Sequence, residues 1–511
     1  MSSFSGGSSS GSKPRTPKLI KRGNLTMRAI SGRFGYHPWK SMTFTVDDSL
    51  ALSYFKPSSG KLRGQIVLTF DTVVAVSSKK PHAFSVKTPY VTMHAHGQSD
   101  QERDEWMETL KSVISVAKKN NKSDMWDSMK SKADSESASA RRHSAGGKGT
   151  HVIHAPGTDF EIDKRYTYIK PIGQGAYGVV IAANDSVTGQ PVAIKKINGV
   201  FRNVIDGKRI LREVKLLGFL KHKHISNVVD LMRPTPVPGQ PDKFDEVYIV
   251  LDLMDTDLHR VIYSSQSLSD AHVQYLLFQM LSAIYYLQTA NVIHRDLKPS
   301  NILVNSKCEL RVCDFGLARG LEEGEEANLT EYVVTRWYRA PELLLSSKHY
   351  TSAIDMWSVG CIFAELLGRR PLFAGDDYLH QLQLICDVLG TPNDEDMAFM
   401  RESSASRFLR EQTRKERKPW KEVKGMRCAS EVGIELLNEL LMFDPSKRMS
   451  AADALKHPYL KTYHSQELKK ADGVFDMDVY EKRKMNQEEL RIAMMGVIRD
   501  YRPDDYPGAI A

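Results

Sequence analysis

Eight consecutive residues constrain this chain of 511 more than any other feature. His294-Arg295-Asp296-Leu297-Lys298-Pro299-Ser300-Asn301 puts a carboxylate, an ammonium group and a primary amide into one short segment. Asp314-Phe315-Gly316, Ala340-Pro341-Glu342 and Asp355-Met356-Trp357-Ser358-Val359-Gly360 follow it in order. Upstream, Ile172-Gly173-Gln174-Gly175-Ala176-Tyr177-Gly178-Val179-Val180 lies between two apolar strand-like runs. Glycines in such a hairpin let backbone N–H groups approach phosphate oxygens that a side chain would block. Alone, that pattern is weak. Val192-Ala193-Ile194-Lys195 comes at the distance of the next strand but one. Leu211-Arg212-Glu213-Val214 falls in a helical pattern with Ile210, Val214 and Leu217 on one face. A cation in that position needs an anchoring carboxylate, and Glu213 is the candidate partner of Lys195. From Tyr166 to about Asp252 the texture is strand-like, and longer helical periods dominate afterwards.

These segments, each present once and in order, resemble the protein kinase family. The resemblance implies a multidomain α+β chain whose bilobal kinase domain spans 160–460, with the small lobe ending near 254. It implies that Lys195 binds the α and β phosphates of ATP and that Asp296 accepts the proton of a substrate hydroxyl. Lys298 would steady the transferring phosphoryl group. Asn301 and Asp314 would hold magnesium, a hard ion that prefers oxygen ligands. The ATP site carried over from the family comprises Ile172, Gly173, Gly175, Tyr177, Gly178, Val180, Ala193, Lys195, Asp252, Met254 and Asp257. Leu251 takes the gatekeeper position, Arg448 matches the family's partner for Glu342, and Cys313 reads as an apolar filler.

Thr330-Glu331-Tyr332, ahead of Arg336-Trp337-Tyr338-Arg339, resembles the activation segment of a mitogen-activated protein kinase of the extracellular-signal-regulated type. That resemblance implies phosphorylation of Thr330 and Tyr332 by an upstream dual-specificity kinase. Arg212, Arg295 and Arg319 would receive the phosphothreonine, and Arg336 and Arg339 the phosphotyrosine. A phosphate orders a loop only where such donors converge on it. Substrates would be proteins with Ser/Thr-Pro sites. Within the C-terminal extension, 461–511, the run Phe475-Asp476-Met477-Asp478-Val479-Tyr480-Glu481 resembles an acidic docking segment for activators, phosphatases and substrates. Asp476, Asp478 and Glu481 carry it, and Val479 and Tyr480 interrupt it; a solvated turn is the plain alternative.

The N-terminal third has a different character. Residues 1–160 hold 24 basic and 13 acidic residues against a whole-chain balance of +9, so all the net positive charge lies there. Residues 1–17 read as disordered, 119–159 as a flexible basic Ser-rich linker containing Arg141-Arg142-His143-Ser144, similar to a basophilic kinase site. Residues 18–118 read as short strands followed by one helix. Ser99 and Glu102 form a capping box, and Trp106, Leu110, Val113, Ile114 and Ala117 share a face. The pattern resembles a pleckstrin-homology domain: a small antiparallel β-barrel or sandwich capped by a C-terminal helix that covers its open end. Met27 and Met42 stand where the strongest lipid-binding members carry basic residues. A phosphoinositide, an anionic membrane, an acidic protein and the kinase domain itself all remain open as partners, as does a merely solubilising surface. Five scattered cysteines (Cys308, Cys313, Cys361, Cys386 and Cys428) argue for a reducing compartment, and the expectation is a cytoplasmic protein with nuclear or peripheral-membrane placement as further options. No apolar run is long enough for a transmembrane helix or a signal peptide, and no nucleic-acid recognition motif accompanies the charge. A signalling adaptor with incidental kinase activity is the rival reading of the whole.

Overall fold

The computed structural model describes residues 18–30, 40–47, 51–60, 62–68, 72–78, 80–87, 92–115, 149–155, 158–175, 178–232, 244–320, 336–345, 351–399, 404–476 and 485–503. They belong to two units, residues 1–142 and 143–511.

In the first unit, β1 (Leu19–Ile30), β2 (Lys40–Asp47), β3 (Ala51–Phe55), β4 (Leu62–Val67), β5 (Val73–Val76), β6 (Ala83–Lys87) and β7 (Thr92–His96) make one antiparallel sheet. Its order is β4-β3-β2-β1-β7-β6-β5. The long β1 pairs with β2 through Leu19 to Met27 and with β7 through Thr26 to Ile30, so one strand joins both halves. Of the barrel and the sandwich expected, a closed barrel is not formed, since edge strands β4 and β5 share no ladder among the described residues. Helix α1, residues 100–115, supplies the expected cover. Its Trp106, Met107, Leu110, Val113 and Ile114 join Leu25, Phe44, Val46, Phe84 and Val86 in one core. Trp106 meets Phe44 edge-on at 6.3 Å, and a Cβ on Gly23 would lie 3.1 Å from its ring, so glycine is what lets β1 pass so close. Ser99 caps α1 at the amide of Glu102, while the Glu102 carboxylate reaches back to Gln98 rather than Ser99. Met27 is buried in this core and Met42 packs against it.

The second unit begins earlier than its composition suggests. Residues within the expected linker form a hairpin, β8 (Thr150–Ala155) with β9 (Thr158–Asp163). Val152 and Ile153 on one side of Pro156-Gly157 and Phe160 and Ile162 on the other outweigh the polar residues around them. Ile153, Phe160 and Ile162 pack onto a five-stranded sheet built from β10 (Tyr166–Gly175), β11 (Gly178–Asp185), β12 (Pro191–Asn198), β13 (Val228–Leu231) and β14 (Glu246–Asp252). Its order is β10-β11-β12-β14-β13, and α2 (Val204–Phe219) lies between β12 and β13 in the chain.

Below this small lobe come β15 (Thr256–Asp257), α3 (Leu258–Tyr263), α4 (Asp270–Thr289), β16 (Val292–Ile293), β17 (Ile302–Val304), β18 (Leu310–Val312) and β19 (Arg319–Gly320). Then follow α5 (Pro341–Leu344), α6 (Ala353–Gly368), α7 (Tyr378–Leu389), α8 (Ser404–Glu411), α9 (Glu431–Leu440) and α10 (Ala451–Ala454). Helix α6 is buried continuously from Ile354 to Leu366, as expected of a helix that is apolar all round. The chain then returns to the small lobe. Helix α11 (Gln487–Tyr501), opened by an Asn486–Glu489 capping box, buries Leu490, Met494, Val497 and Ile498 in the cluster that holds Ile210, Val214 and Leu217 of α2.

Arg502, at the end of α11, fixes that return. Its guanidinium contacts Asp163 of β9 at 2.6 Å and forks onto Asp230 of β13, with Nε 2.8 Å from Oδ1. Asp230 also accepts from the Tyr166 hydroxyl at 2.7 Å, and Arg165 forks onto Asp185 at 2.6 and 2.7 Å. Two acidic groups thus share one arginine, and Arg165 Nη1 also lies 3.8 Å from Asp230. Arg502→Ala should cost about 3 kcal/mol in denaturant unfolding of this unit, because it removes the guanidinium from Asp163 and leaves buried Asp230 with only the Tyr166 hydroxyl and the more distant Arg165. Arg502→Lys should recover less than half of that, lacking the planar fork.

Candidate active site

The chemistry-bearing residues meet where the two lobes face each other. Lys195, in mid β12, is held opposite Val180 of β11 and Ile249 of β14. Its Nζ lies 2.7 Å from Glu213 Oε1 on α2. Burial pulls the Lys195 pKa down, but Glu213 and then Asp314 outweigh it and hold the ammonium charged. The pair therefore joins strand and helix as an ion pair, with Lys195 aimed at the cleft.

In the large lobe the carboxylate of Asp355, at the start of α6, accepts from the backbone N–H groups of His294 at 2.7 Å and Arg295 at 2.9 Å. Arg295 has φ 69°, which costs a non-glycine residue energy unless its surroundings fix it. Those two bonds fix it. His294 donates from Nε2 to the Cys313 carbonyl at 3.0 Å and accepts the Asp296 N–H at Nδ1. Burial lowers its pKa, which keeps that neutral tautomer. Asp296 then lies with Oδ2 2.7 Å from Lys298 Nζ and 3.1 Å from Asn301 Nδ2. Burial raises the Asp296 pKa, and Lys298 opposes the rise. Asp314, also left-handed at φ 65°, follows Cys313, whose N–H is held by the Asn301 carbonyl at 2.9 Å.

The residues expected to line a nucleotide site occupy the small-lobe sheet and the connection beyond it. Gly173 and Gly175 lie on β10, the latter opposite Gly178 of β11, where a Cβ would fall 1.8 Å from the Lys196 carbonyl oxygen. Ile172 and Val180 are half-buried, and Ala193 sits opposite Leu251. Met254 is in the crossing between lobes. Two carboxylates expected here have protein partners: Asp257 caps α3 at the Arg260 amide, and Asp252 pairs with Arg311 of β18. Tyr177, Thr330, Tyr332, Asp478, Glu481 and Ser144 lie outside the described residues.

Of the arginines, Arg212 is buried on α2, and β16 pairs with β19 so that Ile293 faces Arg319 two residues before Arg295. Arg336 donates to the Asp376 carbonyl at 3.0 Å, and the Arg339 N–H to the Arg336 carbonyl. Glu342 and Arg448 form a fully buried fork at 2.8 and 3.1 Å.

Comparison with known proteins gives the family. A family model described as the protein kinase domain matches residues 166–460, and a PH domain model matches 19–115. Mitogen-activated protein kinase 4a of Physcomitrium patens is 47% identical over 347 residues, covering 67% of this chain and 90% of that protein. Mitogen-activated protein kinase 6 of Oryza sativa subsp. japonica is 44% identical over 365 residues, covering 70% and 95%. Extracellular signal-regulated kinase 1 of Dictyostelium discoideum is 48% identical over 308 residues, covering 60% and 57%. The chain is a mitogen-activated protein kinase. It is a serine/threonine protein kinase with a PH domain at its N-terminus. Among the described residues no helix is long and apolar enough to cross a membrane.

One junction of this kinase escaped the sequence. The carboxylate of Glu365, inside α6, accepts from Tyr338 at 2.6 Å and from Tyr263 of α3 at 3.1 Å. Tyr338 belongs to the segment that leads into Ala340-Pro341-Glu342, so Glu365 ties that segment to α3. Only tyrosine hydroxyls in two distant segments mark it, and no spacing rule connects them. Burial pushes Glu365 up to about 7, the two hydroxyls opposing the rise. The folded protein therefore binds this proton more tightly than the unfolded chain. Its stabilising effect is complete below about 4.5 and is lost as pH rises through about 7. Glu365→Gln should remove that slope, so that the stability difference between wild type and variant changes by on the order of 3 kcal/mol from pH 5 to pH 8. Parallel urea titrations across that range measure it.

Proposed function

We propose that this kinase transfers the γ-phosphate of ATP to serine or threonine followed by proline, after its own Thr330 and Tyr332 have been phosphorylated. The observation that carries the reading is the assembled pair of anchors: Lys195–Glu213 in one lobe and Asp296–Lys298–Asn301 in the other.

ATP supplies the phosphoryl group, and magnesium neutralises charge on its phosphates. The residues present suit such an ion. The Asn301 amide is held by its nitrogen to the Asp296 carbonyl at 2.9 Å, which leaves its oxygen to serve, with the Asp314 carboxylate, as a hard donor. A small, strongly hydrated cation needs only a few protein ligands. Lys195 positions phosphate oxygens, and Asp296, whose pKa is raised by burial against the opposition of Lys298, accepts the proton of the incoming hydroxyl. Lys298 remains close enough to steady the oxygens of the moving group. The glycine hairpin from Gly173 to Gly178 offers backbone N–H groups to the phosphates, and Ile172, Val180, Ala193 and Met254 give the base an apolar slot. Tyr177 belongs to the tip of that hairpin by sequence.

The same reading assigns Arg212, Arg295 and Arg319 to a phosphate on Thr330. They come from α2, the catalytic loop and β19, so a single doubly charged group there would draw Glu213 and Asp296 into one arrangement. Arg336 and Arg339 would take the phosphate of Tyr332. Proline after the target residue suits a site without an acceptor for a backbone N–H, which proline lacks. An upstream dual-specificity kinase and phosphatases would dock on Asp476, Asp478 and Glu481. Thr330→Ala with Tyr332→Phe should leave the melting temperature unchanged while lowering turnover by at least about a hundredfold. Full turnover of that variant after treatment with the upstream kinase would refute the switch. Asp296→Asn separates enzyme from adaptor, since an adaptor keeps its cellular role without this carboxylate.

For the PH domain we propose localisation through an anionic surface. Arg22 and Lys40 are exposed on its first two strands and Lys18 just before them, while Met27 and Met42 pack in its core. That arrangement favours diffuse electrostatic contact over a tight headgroup pocket. In sedimentation of the full chain with phosphatidylserine vesicles, binding should fall severalfold between low and high salt. Binding that ignores salt, or that requires a phosphoinositide, would rule this out.

A further inference from the structure

Behind the cleft, three segments meet on one carboxylate. Asp252 ends β14, where the chain leaves the small lobe. Arg311 lies on β18 of the large lobe and donates from Nη1 to Asp252 Oδ2. The Asn227 N–H, from the loop between α2 and β13, donates to the same oxygen at 3.2 Å, and the Asp252 N–H returns to the Asn227 carbonyl at 3.3 Å. Lys221 of the same loop reaches Asn227 Oδ1 at 3.3 Å.

That loop is itself sewn to β18. The Ser226 N–H donates to the Val312 carbonyl and the Val312 N–H to the His224 carbonyl, both at 2.9 Å, making a parallel bridge at Ile225. Asp255, three residues past Asp252, accepts the Ser306 N–H at 2.7 Å. Residues 252–255 form the short connection between the lobes, and Arg311 spans it with its side chain. Its guanidinium reaches Asp252 while its backbone belongs to the strand that delivers Asp314.

We propose that Arg311 is a positioning residue: through Asp252 and Asn227 it sets the angle between the lobes and so the rate at which nucleotide leaves the cleft. The inference rests on the assignment of that cleft to ATP. The Asp252 backbone remains beside the adenine slot, one residue after Leu251, but its carboxylate serves the hinge. Both partners are about a quarter exposed, at 29% and 27%, so the bond is weakened by salt and exchanges readily. A contact of that strength shapes a rate without locking the enzyme. Removing it lets the lobes separate more easily and shortens the nucleotide's residence.

The test is stopped-flow release of a fluorescent ADP analogue from the full chain, comparing wild type, Arg311→Gln and Arg311→Lys. Gln should speed release about two- to fivefold and raise the KM for ATP by a similar factor, with kcat held or increased. Lys, which keeps the charge, should restore most of the wild-type rate, and high salt should bring wild type toward Gln. Hydrogen exchange of amides 252–257 should quicken in Gln alone. In the double variant Arg311→Gln/Asp252→Asn, release should be no faster than in the quicker single variant. An unchanged release rate in Gln, an additive double variant, or a Lys variant no better than Gln each overturns the proposal. Failure of wild type to bind the analogue would instead remove the cleft assignment, whereas normal wild-type binding with unaltered release in Gln removes the hinge role alone.

Discussion

The Asp355 carboxylate, buried at the first turn of α6, holds the catalytic loop by its backbone rather than by its side chains. By accepting from His294 and Arg295 it keeps a left-handed residue in place, and every distance from Asp296 to Lys298 and Asn301 is measured from that point. The rest of α6 extends the same service. Ser358 accepts no role in chemistry, yet it donates to the Tyr338 carbonyl at 2.8 Å, and Glu365 takes the Tyr338 hydroxyl. Arg448 donates to the Ala353 carbonyl at 2.6 Å while it forks onto Glu342. One rigid apolar helix thus references Asp296, the segment from Arg336 to Tyr338 and the Ala-Pro-Glu turn to a common frame. Preorganisation of this kind lets a site act without rearranging at the moment of reaction.

The small lobe is organised differently, because its key contact crosses between elements that can move apart. Lys195 is fixed by strand register, but Glu213 is only as well placed as α2. Helix α2 packs on one side against its own sheet and on another against α11, where Gly207 brings Leu490 within 3.2 Å of the space a Cβ would fill. The Arg502 cluster then binds α11 to the hairpin and to β13. Placement of Glu213 is therefore distributed over the beginning, middle and end of the unit.

Much of this was legible in the sequence where function and contact are local in the chain. Asp296, Lys298 and Asn301 touch because they sit within one turn, and the motif that names them also describes their geometry. Lys195 and Glu213 were readable because the order of strand and helix limits where each can point. Pairs across long separations left no such trace. Arg311 and Asp252 are 59 residues apart, and nothing in either neighbourhood selects that aspartate over Asp255 or Asp257. The β8–β9 hairpin was hidden for another reason. The polar composition around it hid two short apolar pairs, and only packing on the small-lobe sheet decides between linker and strand. In the PH domain, the helical stripe from Trp106 to Ile114 foretold a cover, but periodicity cannot tell whether the sheet beneath it closes on itself.

The return of α11 also has a consequence for how the chain is made. Arg502 and its partner Asp230 are 272 residues apart, so the small lobe emerges from the ribosome long before the helix that completes it. At 5–20 residues per second the apolar face formed by Ile210, Val214 and Leu217 waits roughly 14 to 54 seconds for Leu490 and Val497. During that interval the most activity-determining helix of the enzyme is also an exposed sticky surface. Nascent chains of this kinase should therefore depend on chaperones until α11 has been made, and premature termination anywhere before α11 leaves a small lobe that is built but uncovered.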